Sequence, residues 1–117
     1  MAIHTLSILS ALANDIRLRC IALIESEGEL CVCELTHALH LSQPMISRHL
    51  ALLRDAGLVS DRRAGQWVYY RLNKELNELE LNIIKSAVNA VQHEQLYMAD
   101  RQALQSMTNR PGAACCS

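Results

Sequence analysis

The stretch from Ser42 to Gly57 limits the fold more than any other part of this chain. Ser42 or Gln43 offers a helix cap, and Pro44 falls in the first turn, where a missing N–H has no partner to lose. Ile46, Leu50 and Leu53 then recur at i, i+4 and i+7, so one stripe of the helix is apolar and needs a core to cover it. Gly57 ends the helix. Gln43, Ser47, Arg48 and His49 lie off that stripe. A helix this sharply bounded, apolar on one side and polar on the other, packs on one face and presents the other.

The flanking segments supply the core. Ile3 to Ala13 has a helical stripe, Asn14-Asp15 offers a cap, and Ile16, Cys20, Leu23 and Ile24 continue with a helical period up to Gly28. A third helix is expected to begin near Cys31–Val32 and to carry Leu35, Ala38 and Leu39, with His40-Leu41 as a tight connection. After Gly57, Val59–Arg63 and Gln66–Leu72 read as two strands joined around Ala64-Gly65. Leu76 to about Met107 is helical again, as one helix or two. The expected fold is mainly α with a small β-hairpin: a winged helix-turn-helix in which the third and fourth helices form the helix-turn-helix and the hairpin is the wing. One domain is expected over residues 1–108, followed by a flexible cysteine-containing tail over 109–117.

Charge distribution points to a partner. The whole chain carries a formal net charge of −1, which by itself argues against nucleic acid. Between Ser42 and Lys74, however, six basic residues face two acidic ones, while the remainder holds five basic and ten acidic. A basic segment inside an acidic chain is the pattern of a local phosphate-facing surface. Within it, Gln43 can pair with adenine and Arg48 with guanine, and Ser47 and His49 can reach bases or phosphates. Arg62, Arg63 and Gln66 fall near the hairpin tip, placed for phosphates or the minor groove. His49 can equally be a packing histidine.

About ten residues upstream of this reader sit Cys31 and Cys33. No apolar run approaches the roughly 20 residues of a membrane span, and no signal peptide is evident, so a cytoplasmic protein is expected. There the five cysteines, 20, 31, 33, 115 and 116, are expected as thiols. Thiolates select soft ions, and a helix N-terminus favours the thiolate. Both residues fall at the start of the third helix, where positions i and i+2 point about 200° apart, so a shared ion is expected to distort or unwind the first turn, deforming the third helix and mis-setting the fourth. Two cysteines packing as small hydrophobes are the alternative. Cys20, on the apolar stripe of the second helix, is expected in the core.

Three motifs together resemble the ArsR/SmtB family of metal-sensing winged-helix repressors. Glu29-Leu30-Cys31-Val32-Cys33-Glu34-Leu35 resembles the metalloid-binding box of its arsenical-resistance members. Ser42-Gln43-Pro44 with Ile46-Ser47-Arg48-His49-Leu50 resembles their recognition helix, and Gly65-Gln66-Trp67-Val68-Tyr69-Tyr70-Arg71-Leu72 resembles their wing. The resemblance runs from about Leu12 to Leu72. It implies a homodimer that represses an arsenic-resistance operon by binding double-stranded operator DNA. The inducer is As(III) or Sb(III), and no cofactor is required. Some arsenical repressors carry a third cysteine three positions after the second; here that position is Thr36. The third ligand is then Cys115 or Cys116, from either subunit, or a small thiol or water.

Zinc sensors of the same family use ligands on the last helix. Aligning His93 with their second histidine puts Glu80 at the acid but Asn82 and Leu96 at the other two places, so this site is expected to be broken. Ile3–Ala13 and the surface of Leu79, Ile83, Ile84, Ala87, Val88 and Val91 supply two apolar helical faces, more than one core needs, which suggests a dimer interface. A redox-sensing repressor using the same thiols is the second reading. A small thiol enzyme is the third, and it lacks a Cys-x-x-Cys after a strand and leaves the basic wing without a purpose.

Overall fold

In a computed structural model, which describes residues 5–108, the elements follow in the order α1 (Thr5–Leu12), α2 (Asp15–Glu27), β1 (Glu29–Cys31), α3 (Val32–Leu39), α4 (Gln43–Asp55), β2 (Val59–Ala64), β3 (Trp67–Leu72), α5 (Glu78–Val91) and α6 (Gln95–Gln105). Local chemistry explains most of the boundaries. The Asn14 side chain accepts from the backbone N–H groups of Ile16 and Arg17 at 3.0 and 3.1 Å and so starts α2. Gly28, at φ 91°, stops it and donates to the Ile24 carbonyl. Ser42 Oγ accepts from Met45 N at the start of α4, and the chain leaves that helix through Gly57.

The core is aliphatic. Ile46, Leu50 and Leu53 of α4 are fully buried, as expected, against Leu23 and Ile24 of α2, Leu35 of α3 and Leu58. Each such burial contributes about 1.5–3 kcal/mol relative to exposure. Cys20 is also fully buried.

One feature differs from the sequence expectation. The hairpin is part of a three-stranded antiparallel sheet in the order β1-β3-β2, because Glu29, Leu30 and Cys31 pair with Arg71, Tyr70 and Tyr69. The C-terminal helical region, left open as one helix or two, is two helices. The break falls over residues 92–94, where Arg101 donates to the Gln92 carbonyl at 2.6 Å. α6 packs along α3, held by a buried ion pair in which Arg19 of α2 grips Asp100 with bonds of 2.7 and 2.8 Å. The same guanidinium donates to the Leu39 carbonyl at the end of α3, at 3.3 Å.

Of the two apolar helical faces, more than one core needs, α5 gives Ile84 and Val88 to the core of the subunit, where they are buried. Ile83, Ala87 and Val91 are half-buried against the same core. Leu79 stays 74 % exposed, as do Leu6 at 77 % and Leu9 at 49 % on α1. Ile3 lies outside the described residues.

Candidate nucleic-acid interface and thiol site

The polar face of α4 is where its periodicity puts it. Gln43 and Arg48 are exposed and Ser47 is half-exposed, on a helix whose N-terminus faces outward. Gln43 and Ser47 line one side of a groove of about 790 Å³ whose other side is the wing, through Arg63, Gln66, Trp67 and Val68. Gly65, at φ 64°, makes the hairpin turn that brings Gln66 to the tip. Arg54 near the end of α4 lies 3.6 Å from Asp61 of β2, linking helix and wing across partly exposed surface.

Two expected DNA contacts are turned elsewhere. His49 is buried, with 8 % of its surface exposed, and its Nδ1 lies 3.4 Å from Arg17 of α2. A guanidinium only donates, so this nitrogen accepts, and the imidazole braces α4 against α2. Burial, then the charges of Arg17 and Arg48, hold its pKa below the ordinary histidine value. Arg62 follows the strand alternation onto the sheet face opposite Arg63. There it donates to both carboxylate oxygens of Glu29 at 2.7 and 2.8 Å and lies 4.6 Å from the centre of the Tyr69 ring. Glu29 is correspondingly held below the usual carboxylate range by that bond.

The thiol pair sits at a junction, not inside a helix. Cys31 is the last residue of β1 and the N-cap of α3, at φ −79° and ψ 153°, and Cys33 is in the first turn. The Glu34 carboxylate accepts from the Cys31 N–H at 2.8 Å and fixes the junction. Because Cys31 is extended, the 200° divergence expected of two helical residues does not arise. The Cys33 thiol donates to the Cys31 sulfur at 3.3 Å, so no helical turn has to unwind to bring the sulfurs together. Cys31 is buried and Cys33 half-buried, and both line the groove shared by α4 and the wing.

Thr36 also lines that groove, and its hydroxyl donates to the Val32 carbonyl at 2.9 Å. Cys115 and Cys116 lie outside the described residues. Burial pushes the Cys20 thiol up to about 12, which leaves it an inert core group. Among the described residues, no group of three or more His, Cys, Asp or Glu side chains is placed to hold a metal. Glu80 instead caps α5, accepting from Asn77 N at 2.9 Å. His93 falls in the turn after that helix, exposed like Asn82 and Leu96. Sequence reasoning missed Glu29, Tyr69 and Arg17, whose partners lie 33, 7 and 32 residues away.

Known proteins match this architecture. The model of the bacterial regulatory protein arsR family matches residues 14–61. The chain is 52 % identical over 104 residues to the arsenic resistance transcriptional regulator ArsR1 of Pseudomonas putida, covering 89 % of this chain and 80 % of that protein. It is 46 % identical over 112 residues to ArsR2 of the same organism, covering 93 % and 95 %. Among solved structures, HlyU from Vibrio cholerae superposes with a TM-score of 0.61 at 33 % identity, covering 77 % of this chain and 89 % of that one. The antimony-specific transcriptional repressor AntR superposes with a TM-score of 0.61 at 26 % identity, covering 73 % and 74 %. With its winged helix-turn-helix built as described, this chain belongs to the ArsR family of bacterial regulatory proteins, DNA-binding transcription factors and not enzymes.

Proposed function

We propose that the protein is a transcriptional repressor that holds operator DNA as a homodimer and releases it when As(III) or Sb(III) binds its cysteine thiolates. The observation that carries this reading is the 3.3 Å approach of Cys31 and Cys33 in the groove that Gln43, Ser47, Arg63 and Gln66 also line. With bonds to sulfur of about 2.3 Å, as zinc makes, sulfurs 3.3 Å apart subtend about 92° at a shared ion. That is close to the pyramidal geometry of a three-coordinate ion with a lone pair, and narrower than a tetrahedral site. The third place falls to Cys115 or Cys116 of either subunit, or to a small thiol or water. The names of the arsenic-resistance relatives support the choice of inducer.

In this reading Gln43, Ser47 and Arg48 enter the major groove, while Arg63 and Gln66 follow the flanking phosphates. His49 and Arg62 support the reader from behind. Leu6, Leu9 and Leu79 are the apolar positions that a second copy covers. A two-fold dimer then meets half-sites about 34–36 Å apart. No cofactor is needed, and the cytoplasm is the compartment in which the thiols stay reduced.

The test is fluorescence anisotropy of labelled operator-region DNA with reduced protein, titrated in parallel with arsenite, zinc and an oxidant. Release by arsenite, abolished in the Cys31→Ser/Cys33→Ser double variant with DNA binding intact, is the expected result. A coupling of about 1–3 kcal/mol corresponds to a loss of DNA affinity of about 5- to 150-fold. Release by oxidant alone would instead establish redox sensing through the same thiols.

A further inference from the structure

The sheet carries a row of side chains from the thiol strand to the wing. The β1–β3 register sets Cys31 opposite Tyr69, and the β2–β3 register sets Arg62 opposite the same tyrosine. Directly opposed residues share a face, with Cβ atoms about 4.5–5.5 Å apart. Cys31, Tyr69 and Arg62 are therefore consecutive neighbours on one side of the sheet. Glu29, two residues before Cys31 on β1, points to that side as well. It closes the row by gripping the Arg62 guanidinium with bonds of 2.7 and 2.8 Å, while Arg62 stacks 4.6 Å from the centre of the Tyr69 ring.

We infer that Tyr69 is the positioning residue through which an ion on Cys31 and Cys33 reaches the DNA-reading wing. This rests on the thiol pair being the inducer site. The half-buried ring is flanked on one strand by the Cys31 position and on the other by the guanidinium of β2. An ion bound to the sulfurs, with its remaining ligand, adds bulk at the thiol end of the row, where the ring is the cross-strand neighbour. Arg62 lies on that ring and is tied back to β1 by Glu29, so a shift of the ring tilts β2 against β1. The residue after Arg62 is Arg63, which with Gln66 faces the groove opposite Gln43 and Ser47. Because β2 also meets the end of α4 through Arg54 and Asp61, the wing changes its angle to the reading helix as a unit. This route needs no unwinding of α3.

The test separates metalloid binding from DNA release. Arsenite binding is followed by the arsenic–thiolate absorbance, and DNA affinity by anisotropy with and without arsenite, for wild type, Tyr69→Phe, Tyr69→Ala and the exposed pair Arg62→Gln and Glu29→Gln. Tyr69→Ala is expected to bind arsenite within about threefold of wild type while its DNA affinity changes less than about threefold on arsenite addition, below the usual span of such couplings. Tyr69→Phe, which keeps the ring, is expected to release DNA as wild type does. Arg62→Gln and Glu29→Gln are each expected to weaken release, and the double variant no more than either single one, because they cut the same link. Full release by Tyr69→Ala, or by the Arg62→Gln/Glu29→Gln double variant if Tyr69→Ala does not fold, overturns the inference and leaves the thiol site standing. A wild-type protein that binds arsenite at neither cysteine overturns the reading of the site itself.

Discussion

Arg17 of α2 donates from Nη1 to His49 Nδ1 of α4 at 3.4 Å, and its Nε donates to the Ala11 carbonyl at the end of α1 at 2.8 Å. One side chain thus ties the first helix and the reading helix to the second. It also explains why a histidine inside the recognition motif faces the core. Protonating His49 would add a third positive charge beside those of Arg17 and Arg48.

The folded-state pKa of His49 lies below its ordinary value. The unfolded chain therefore binds more protons at this position, and stability rises with pH. The contribution is complete above about pH 6.5, is lost as pH falls through that value, and levels off below the folded pKa. The melting temperature is expected to fall between about pH 7.5 and 5.5 more steeply in wild type than in His49→Gln. Equal slopes in the two proteins would remove His49 as the cause.

The pair formed by Arg19 and Asp100 is a different kind of contact, with side chains only 12 % and 4 % exposed. Removing one partner leaves a buried charge uncompensated. Asp100→Asn is expected to cost about 3 kcal/mol in urea unfolding and to loosen α6 from α3. A loss below about 1 kcal/mol would show that water reaches the guanidinium.

Thr36 lines the groove beside both cysteines and spends its hydroxyl on the Val32 carbonyl. Thr36→Cys places a third thiol at the position some arsenical repressors use. Its affinity for arsenite, measured calorimetrically, is expected to rise about tenfold or more, equivalent to about 1.4 kcal/mol. An unchanged affinity would mean that the third place is already filled by a thiolate from elsewhere.

Arg63 and Gln43 both line the groove, and the proposed function gives them different roles. Arg63→Ala is expected to lower the slope of log affinity against log salt by about one, with little change in sequence preference. Gln43→Ala is expected to keep the salt slope and to relax discrimination at one base position by about 1–3 kcal/mol. Competition assays at two salt concentrations distinguish the two effects.

Leu6 and Leu79 are 77 % and 74 % exposed on α1 and α5. For the proposed homodimer, Leu79→Lys is expected to halve the mass found by light scattering and to weaken operator binding. A variant that keeps the wild-type mass would move the subunit interface away from α5.

The helix limits were legible in the chain because their causes are local. Asn14, Gly28, Ser42 and Gly57 cap or end helices within a few residues of where they stand. The stripe of Ile46, Leu50 and Leu53 needed only the helical period to be assigned to the core. Strand β1 was not legible. Three residues show no useful alternation, and its partner β3 begins 36 residues after β1 ends.

Sequence therefore determined the helix after Ser42, the wing hairpin and the family, since each is set by residue type and short-range spacing. Tertiary structure alone decided which way the side chains act. It ended a strand at Cys31, which puts two sulfurs 3.3 Å apart that one continuous helix would have held apart. It turned His49 toward Arg17 and Arg62 toward Glu29, because a charged or polar group goes where a partner can be reached, and those partners lie 32 and 33 residues away along the chain.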